Sequence, residues 1–195
     1  MFSLLRPALV LLGLMTLATG VIYPVVVTGV ARVIFPHQAS GSSIERSGRV
    51  VGSTLIGQSF DDARYFWGRP SATSPVPYNS AASTGSNLGP TNPALVKLVG
   101  ERVATLRAAD PSHAGELVPV DLVTSSGSGL DAHISPAAAY YQVTRVAQAR
   151  GFSEQQLRRL VEAHVEGRTW GILGEPRVNV LRLNLALDDL LRSGA

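Results

Sequence analysis

The stretch PALVLLGLMTLATGVIYPVVVTGVA, from Pro7 to Ala31, contains no charged side chain, and Arg6 and Arg32 flank it. As a helix these 25 residues would extend about 37 Å, which is enough to cross a hydrocarbon core of roughly 30 Å with some tilt. The remainder of the chain is a mixed polar and apolar sequence. We therefore predict a single N-terminal transmembrane helix plus an α+β soluble domain.

A cleaved signal peptide is the alternative interpretation of this apolar run. The small residues at 18–20 (Ala-Thr-Gly) resemble a cleavage site. The apolar run continues beyond them to Val30, so we favour a retained anchor. Pro24 lies inside the run and is expected to kink the helix unless a neighbouring group satisfies the freed carbonyl.

Small residues recur along one face of the predicted anchor. Gly13, Thr16 and Gly20 are separated by three and four positions, which places them on the same side of a helix. Such a stripe lets a second helix approach closely. Glycine and threonine are also common in membrane helices without a packing role, so the stripe is a candidate packing face.

The pattern of helix caps and turn residues organises the chain. We expect a tail at 1–6, the transmembrane anchor at 7–35, a Gly/Ser-rich tether at 36–48 and the soluble domain at 49–195. In that domain we predict strands near 49–56 and 117–124, a helical turn near 61–67, a long loop at 70–92, and helices near 93–107, 136–150, after Ser153 and after Asn179.

Composition excludes several classes of function. Beyond residue 35 there are 15 basic and 14 acidic residues, a difference of +1, and no basic run, so we expect no nucleic-acid partner. The chain has no cysteine and therefore no disulfide, thiol chemistry or zinc ribbon. Positive charge lies on both sides of the apolar run, at Arg6 and at Arg32, so charge alone does not choose an orientation.

The densest polar chemistry lies in a loop between a predicted strand and a predicted helix. Three interpretations are open: a structural turn, a contact for an anion or a partner, and a membrane-tethered serine hydrolase using Ser126 or Ser128 with His133 as base. A complete Gly-x-Ser-x-Gly elbow and a Walker loop are both missing from it. The candidate contact residues are Ser125, Ser126, Gly127, Ser128, Gly129, Asp131 and His133.

Two further clusters have a functional and a structural interpretation. Asp131, His133 and His164 are possible metal ligands, but no recognised ligand spacing joins them, and we predict no metal site. The aromatic run at 65–67 with Arg69 is either a recognition surface or core with one stacked arginine, and we favour the core. No catalytic residue is assigned.

Several stretches resemble the C subunit of the bacterial Kdp potassium-transporting ATPase, and together they cover nearly the whole chain. The resemblance is most specific in SGSGLDAHISP, where Ala132 stands at a position that is usually proline in the family. The matching stretches are GSTLIGQ (52–58), YFWGRPSA (65–72), GSNLGP (85–90), VPVDLVTSSGSGLDAHISP (118–136) and GILGEPRVNVL (171–181).

The resemblance implies an accessory subunit rather than an enzyme in its own right. Its expected partners are a channel-like subunit that selects potassium, a P-type subunit that hydrolyses ATP, and membrane lipid. It implies a single pass through the bacterial inner membrane with the soluble domain on the outer side. It also implies a catalytic chaperone that raises the ATP affinity of the pump, although ATP is cytoplasmic. We expect no cofactor bound by this chain, with ATP acting through the complex.

Overall fold

The computed structural model describes residues 2–193 and divides the chain into two compact units, residues 1–51 and 52–195. The first unit contains a helix from Leu5 to Ile34 that is long and apolar enough to cross a membrane, and none of its residues is buried within the protein. It comprises α1 (Leu5–Leu17), a π-helical turn (Ala18–Ile22) and α2 (Tyr23–Ile34). The predicted transmembrane helix is therefore matched by a candidate span.

The π-helical turn explains how the helix continues past Pro24. Because proline has no backbone N–H, the carbonyl of Gly20, four residues earlier, loses its regular partner. The N–H of Tyr23 donates to the carbonyl of Ala18, five residues back, which is the wider π pattern. The helix therefore changes its hydrogen-bond pattern at this point instead of ending.

The stretch that we predicted to be a tether, 36–48, contains regular structure. A short helix α3 (Pro36–Ala39) follows the long helix, and β1 (Ser43–Arg46) then pairs with β2 (Arg49–Ser53). Ser47 and Gly48, with φ of 49° and 73°, form the two-residue turn between the strands. Serine and glycine here serve a tight hairpin, which composition alone did not distinguish from a flexible linker.

The second unit combines helices with a small sheet, so the predicted α+β class is confirmed. Its elements are α4 (Pro93–Ala109), β3 (His133–Ile134), α5 (Pro136–Tyr141), α6 (Val143–Arg150), α7 (Glu154–Ala163), β4 (Val165–Glu166), β5 (Arg177–Asn179) and α8 (Val180–Ser193). The strands form an antiparallel sheet in the order β3-β5-β4, with His133 opposite Asn179 and Val165 opposite Val178.

Local capping residues fix the helix ends. The side chain of Asn92 accepts from the N–H of Ala94 at the start of α4, and Ser153 forms the predicted capping box at the start of α7. Gly151, with φ of 72°, ends α6 in the left-handed conformation. These three predictions are confirmed.

Three predicted elements differ from the structure. The strand expected at 117–124 is a 3-10 turn, Val120–Leu122, because Pro119 precedes it and the Asp121 carboxylate turns back to bind Ser135. The helix expected over 136–150 is interrupted at Gln142, whose side chain binds the backbone of Trp67. The segment 61–67 makes only a turn, at Asp62–Tyr65.

The hydrophobic core lies between the helices and the sheet. Its central side chains are buried from solvent and come from the loop before α4, from β3 and β5, and from α6, α7 and α8. They include Phe66, Ile134, Val146, Leu157, Val161, Val178, Leu183 and Leu187. The sheet lies directly after the loop 125–131, so the core fixes the end of that loop.

Candidate functional site

The loop at 125–131 is held by three other segments of the second unit. The carbonyl of Ser128 accepts from the Oγ of Ser83 at 3.0 Å and from the N–H of Thr84 at 3.1 Å. The carbonyl of Gly129 accepts from the Oγ of Ser71 at 2.7 Å, and that of Leu130 accepts from the N–H of Gly57 at 2.9 Å. These four hydrogen bonds therefore tie the backbone of the loop to segments that lie 44 to 73 residues earlier in the chain.

Close backbone approach explains one of the loop glycines. Gly129 has a φ of 68°, and a Cβ placed on it would lie 2.6 Å from the carbonyl oxygen of Thr84 and 2.7 Å from Cγ2 of Thr73. A side chain at this position would therefore be strained twice, by conformation and by contact. At Gly127 nothing lies within 4 Å of an added Cβ.

The predicted serines are used within the loop itself. The hydroxyl of Ser126, a residue that is 6% exposed, lies 3.4 Å from the hydroxyl of Ser128. The Oγ of Ser128 also accepts from the N–H of Leu130 at 3.1 Å, and the carbonyl of Ser125 accepts from Arg69 at 3.3 Å. These contacts are those of a structural turn.

Arg69 and Asp131 form the charged centre of the site. Nη1 of Arg69 lies 3.1 Å from Oδ2 of Asp131, and Oδ1 of Asp131 accepts from the N–H of His133 at 3.0 Å. Burial alone would raise the pKa of Asp131, but hydrogen bonds from His133 and Arg69 outweigh it and lower that pKa. We did not predict Arg69 as a partner of this loop, because it lies 62 positions before Asp131 in the sequence.

The ring of His133 contacts acidic and amide groups. Its Nδ1 lies 3.4 Å from Oδ1 of Asp131, and its Nε2 lies 3.3 Å from Nδ2 of Asn179 and 4.0 Å from Oε2 of Glu166. Within residues 2–193 no hydrogen bond joins this ring to a serine hydroxyl. A serine hydrolase needs its base bonded to the nucleophile, so the alternative with Ser126 or Ser128 lacks its central contact.

His164 does not join Asp131 and His133. Its Nδ1 lies 2.8 Å from the carbonyl oxygen of Leu160, one helical turn earlier. Across the residues that the structure describes, no group of three or more His, Asp or Glu side chains is arranged to hold a metal ion.

The aromatic run at 65–67 packs against arginines, as the favoured interpretation predicted, but not against Arg69. Phe66 is completely buried, the guanidinium of Arg145 lies 4.3 Å from the ring centre of Trp67, and that of Arg150 lies 4.4 Å from Tyr65. Burial lowers the pKa of Arg145 to about 10. The run therefore belongs to the core and its edge.

Asp131 and His133 also face the surface. They line a cleft of about 600 Å³ together with residues of the turn after Pro119 and of the segment before β5. The other polar residues that line this cleft are Arg69, Asp121, Ser135, Glu175 and Arg177. Of the other predicted contact residues, Gly127 and Ser128 are exposed, whereas Ser126 is buried.

The predicted packing face of the anchor lies on one continuous helix. Nothing lies within 4 Å of a Cβ added to Gly13, and a Cβ on Gly20 would just reach Cγ2 of Thr16 at 4.0 Å. The three residues therefore form a shallow, exposed strip along the helix. Its use as a contact surface stays a prediction.

Comparison with known proteins identifies the family. The family described as "KdpC: K+-transporting ATPase, c chain" matches residues 5–189. The chain belongs to the KdpC family. It is 66% identical over 188 residues to the potassium-transporting ATPase KdpC subunit of Sorangium cellulosum (strain So ce56), covering 96% of this chain and 98% of that one. It is also 60% identical over 190 residues to the KdpC subunit of Methylococcus capsulatus, covering 97% of this chain and 100% of the relative.

A third KdpC subunit, from Dechloromonas aromatica (strain RCB), is 58% identical over 190 residues and covers 97% of this chain and 99% of its own length. The expected resemblance to the C subunit of the Kdp ATPase is thereby confirmed over almost the full chain. Membership of the KdpC family also confirms the expectation of a subunit of a potassium-transporting ATPase.

Proposed function

We propose that the chain is an accessory, non-catalytic subunit that stabilises the assembly of an ATP-driven potassium import complex. The observation that supports this proposal is that the polar groups of the 125–131 loop are hydrogen-bonded within the protein itself. Its carbonyls accept hydrogen bonds from neighbouring segments, its serine hydroxyls bond within the loop, and the ring of His133 contacts Asp131 and Asn179. These groups therefore support a structural role and leave no assembled nucleophile and base.

The proposed partners are the larger subunits of the complex, a channel-like subunit that selects potassium and a P-type subunit that hydrolyses ATP. The helix Leu5–Ile34, none of whose residues is buried within the protein, offers a surface to their membrane helices and to lipid. The cleft containing Asp131 and His133 offers a second, polar surface on the soluble unit. Two separate contact surfaces suit a subunit whose role is assembly.

An increase in the ATP affinity of the pump would, in this proposal, act through the complex. The guanidinium of Arg69, which reaches this loop, is already bound to Asp131 and to the carbonyl of Ser125. A triphosphate would have to displace these contacts. This arrangement favours an indirect effect on ATP over direct binding by the loop.

We further propose a single pass through the inner membrane with the soluble domain on the outer side. This placement is supported by the family resemblance and is compatible with a cysteine-free domain that is held by packing. Protease added to intact spheroplasts should trim residues 36–195. Protection of the domain until the membrane is broken would refute the placement.

The test of the assembly role is purification of the tagged, full-length chain from membranes in mild detergent. Two larger membrane proteins should be recovered with it in constant ratio. The double variant Ser126→Ala with Ser128→Ala serves as a control for the hydrolase alternative, because a subunit has no hydrolytic activity of its own to lose. Recovery of the chain alone would refute the proposed function.

A further inference from the structure

The segment between β4 and β5 exposes three large apolar side chains at one point. Trp170 is 84% exposed, Ile172 is 72% exposed and Leu173 is 52% exposed. They lie in a tight hairpin tip, residues 169–173, which is closed by a pair between Thr169 and Leu173. Isolated exposed apolar residues are ordinary, but a cluster of this kind marks an interaction site.

The tip is built to present these side chains. The N–H groups of Gly171, Ile172 and Leu173 all bind carbonyls within the hairpin. Trp170 has a φ of 55°, a left-handed conformation that is unfavourable for a bulky side chain. The hydrogen bonds of the turn hold Trp170 in this strained conformation, and the exposed side chain has no internal packing to compensate for the strain. This combination points to a function for the exposed indole.

The charges around the tip are paired with each other. Arg168 lies 2.7 Å from Glu175, Arg177 lies 3.1 Å from Glu166, and Arg182 also contacts Glu166 at 3.4 Å. A segment that binds anionic lipid uses basic side chains free to meet the headgroups. An apolar centre whose neighbouring arginines are already paired with glutamates instead resembles the centre of a protein–protein contact.

The size of the tip argues against a second copy of this chain. A contact made only by these three side chains would bury on the order of a few hundred Å² of accessible surface on each partner. This area is below the roughly 800 Å² per partner that a stable interface buries. A narrow, protruding tip is suited to enter a recess in a larger partner. The adjoining cleft, which Glu175 and Arg177 share with Asp131 and His133, would extend such a contact.

We infer that the hairpin tip 169–173 inserts Trp170 and Ile172 into an apolar recess on the extramembrane surface of a larger subunit of the potassium-transporting complex. The inference rests on the proposed function, since it names the surface through which the soluble unit assembles. Trp170 is the main anchor, because a large rigid side chain buried at the centre of an interface contributes most to affinity.

The first experiment compares exposed apolar residues in two places. Tagged full-length chain is co-expressed with the larger subunits and purified from membranes as wild type, Trp170→Ala, Ile172→Ser and the control Val96→Ser. Val96 is 64% exposed on α4, so its replacement matches that of Ile172 in chemistry and exposure. The dissociation constant of the larger subunits should rise about tenfold or more for Trp170→Ala and stay unchanged for Val96→Ser.

The outcomes separate this inference from the function on which it rests. Wild type that recovers no larger subunit would refute the proposed function. Wild type that recovers them, with Trp170→Ala binding equally well, would refute the hairpin contact alone. Because Trp170 and Ile172 are exposed, both variants should keep the unfolding midpoint of the wild type, which checks that a loss of binding is not a loss of fold.

A second experiment identifies the occupant directly. The photoreactive residue p-benzoylphenylalanine is incorporated at position 170 of the full chain in membranes and irradiated. A covalent adduct with a co-purifying larger subunit, identified by mass spectrometry, is the expected result. An adduct with a second copy of the chain, an adduct with lipid only, or no protein adduct at all would overturn the inference.

Discussion

The side-chain amide of Asn184 binds both backbone groups of Phe66, accepting from its N–H at 2.9 Å and donating to its carbonyl at 2.9 Å. Gln142 does the same for the next residue, Trp67, at 2.7 and 3.1 Å. Two buried amides, one from α8 and one from the break between α5 and α6, thus take the place of a neighbouring strand. This arrangement satisfies a buried, non-regular backbone inside the core.

Asn184→Ala should therefore lower the stability of the soluble unit. The substitution leaves the buried N–H and carbonyl of Phe66 without partners, which costs roughly 2–4 kcal/mol in the free energy of unfolding. Urea unfolding of the detergent-purified chain, followed by tryptophan fluorescence, measures this loss. Gln155→Ala, at an exposed position on α7, is the control and should change stability little; equal stability of both variants would contradict the prediction.

Gly129→Ala should destabilise the chain far more than Gly127→Ala. Position 129 combines a φ of 68° with contacts of 2.6 and 2.7 Å to an added Cβ, and position 127 has neither. We expect a loss of roughly 2 kcal/mol or more at 129 and less than about 1 kcal/mol at 127. Thermal unfolding of the two variants decides this, and a similar melting temperature for both would show that the loop can relax.

Asp131 should contribute to stability at neutral pH and lose this contribution in acid. Its native pKa lies below the ordinary value of 3.8, so the folded state favours the ionised carboxylate. The stabilisation is fully present above that ordinary value and disappears as pH falls through the lowered native pKa. Asp131→Asn should be less stable than wild type at pH 7, and the difference should shrink below about pH 4 in urea titrations at each pH.

An unchanged gap between wild type and Asp131→Asn across that range would contradict the role of the Arg69 and His133 contacts.

Gly20→Leu should weaken assembly of the complex more than Leu12→Ala. A leucine on the small-residue strip would hold a partner helix away, and association in membranes depends on close packing. The yield of larger subunits per tagged chain is the measurement. Equal recovery with both variants would remove the case for the strip formed by Gly13, Thr16 and Gly20.

The chain alone should bind ATP weakly or not at all. The loop would have to use backbone amides at 125–129, because the nearby Arg69 is engaged by Asp131. Calorimetric titration of ATP into residues 36–195 and into the detergent-purified full chain tests this. Micromolar binding that is lost in Ser128→Glu would show that the loop is a nucleotide site after all.

Local sequence signals predicted the ends of helices well. Asn92 with Pro93, the capping box at Ser153 and Gly151 each act through neighbours within a few residues, so the sequence contains the whole interaction. The sheet was not predicted, because its strands are two or three residues long and show no usable period. Their pairing depends on contacts between distant segments, such as His133 with Asn179.

The same limit applies to the candidate site. The loop residues, with Asp131 and His133, were found because they are adjacent in sequence. Arg69 was missed as their partner because 62 residues separate it from Asp131, and a local search for basic residues between 108 and 144 finds none. The exposure of Trp170 could not be predicted either, since a tryptophan between Thr169 and Gly171 is equally compatible with a core position.

The π-helical turn at Ala18–Ile22 changes the direction in which the two halves of the helix present their side chains. A turn that accommodates an additional residue offsets the following side chains by about 100° around the helix axis. A row of positions that begins at Gly13 therefore does not continue in the same direction beyond Tyr23. In each leaflet of a bilayer, the helix would therefore present a differently oriented face. Separate subunits can then pack against the two halves of the helix without competing for one face.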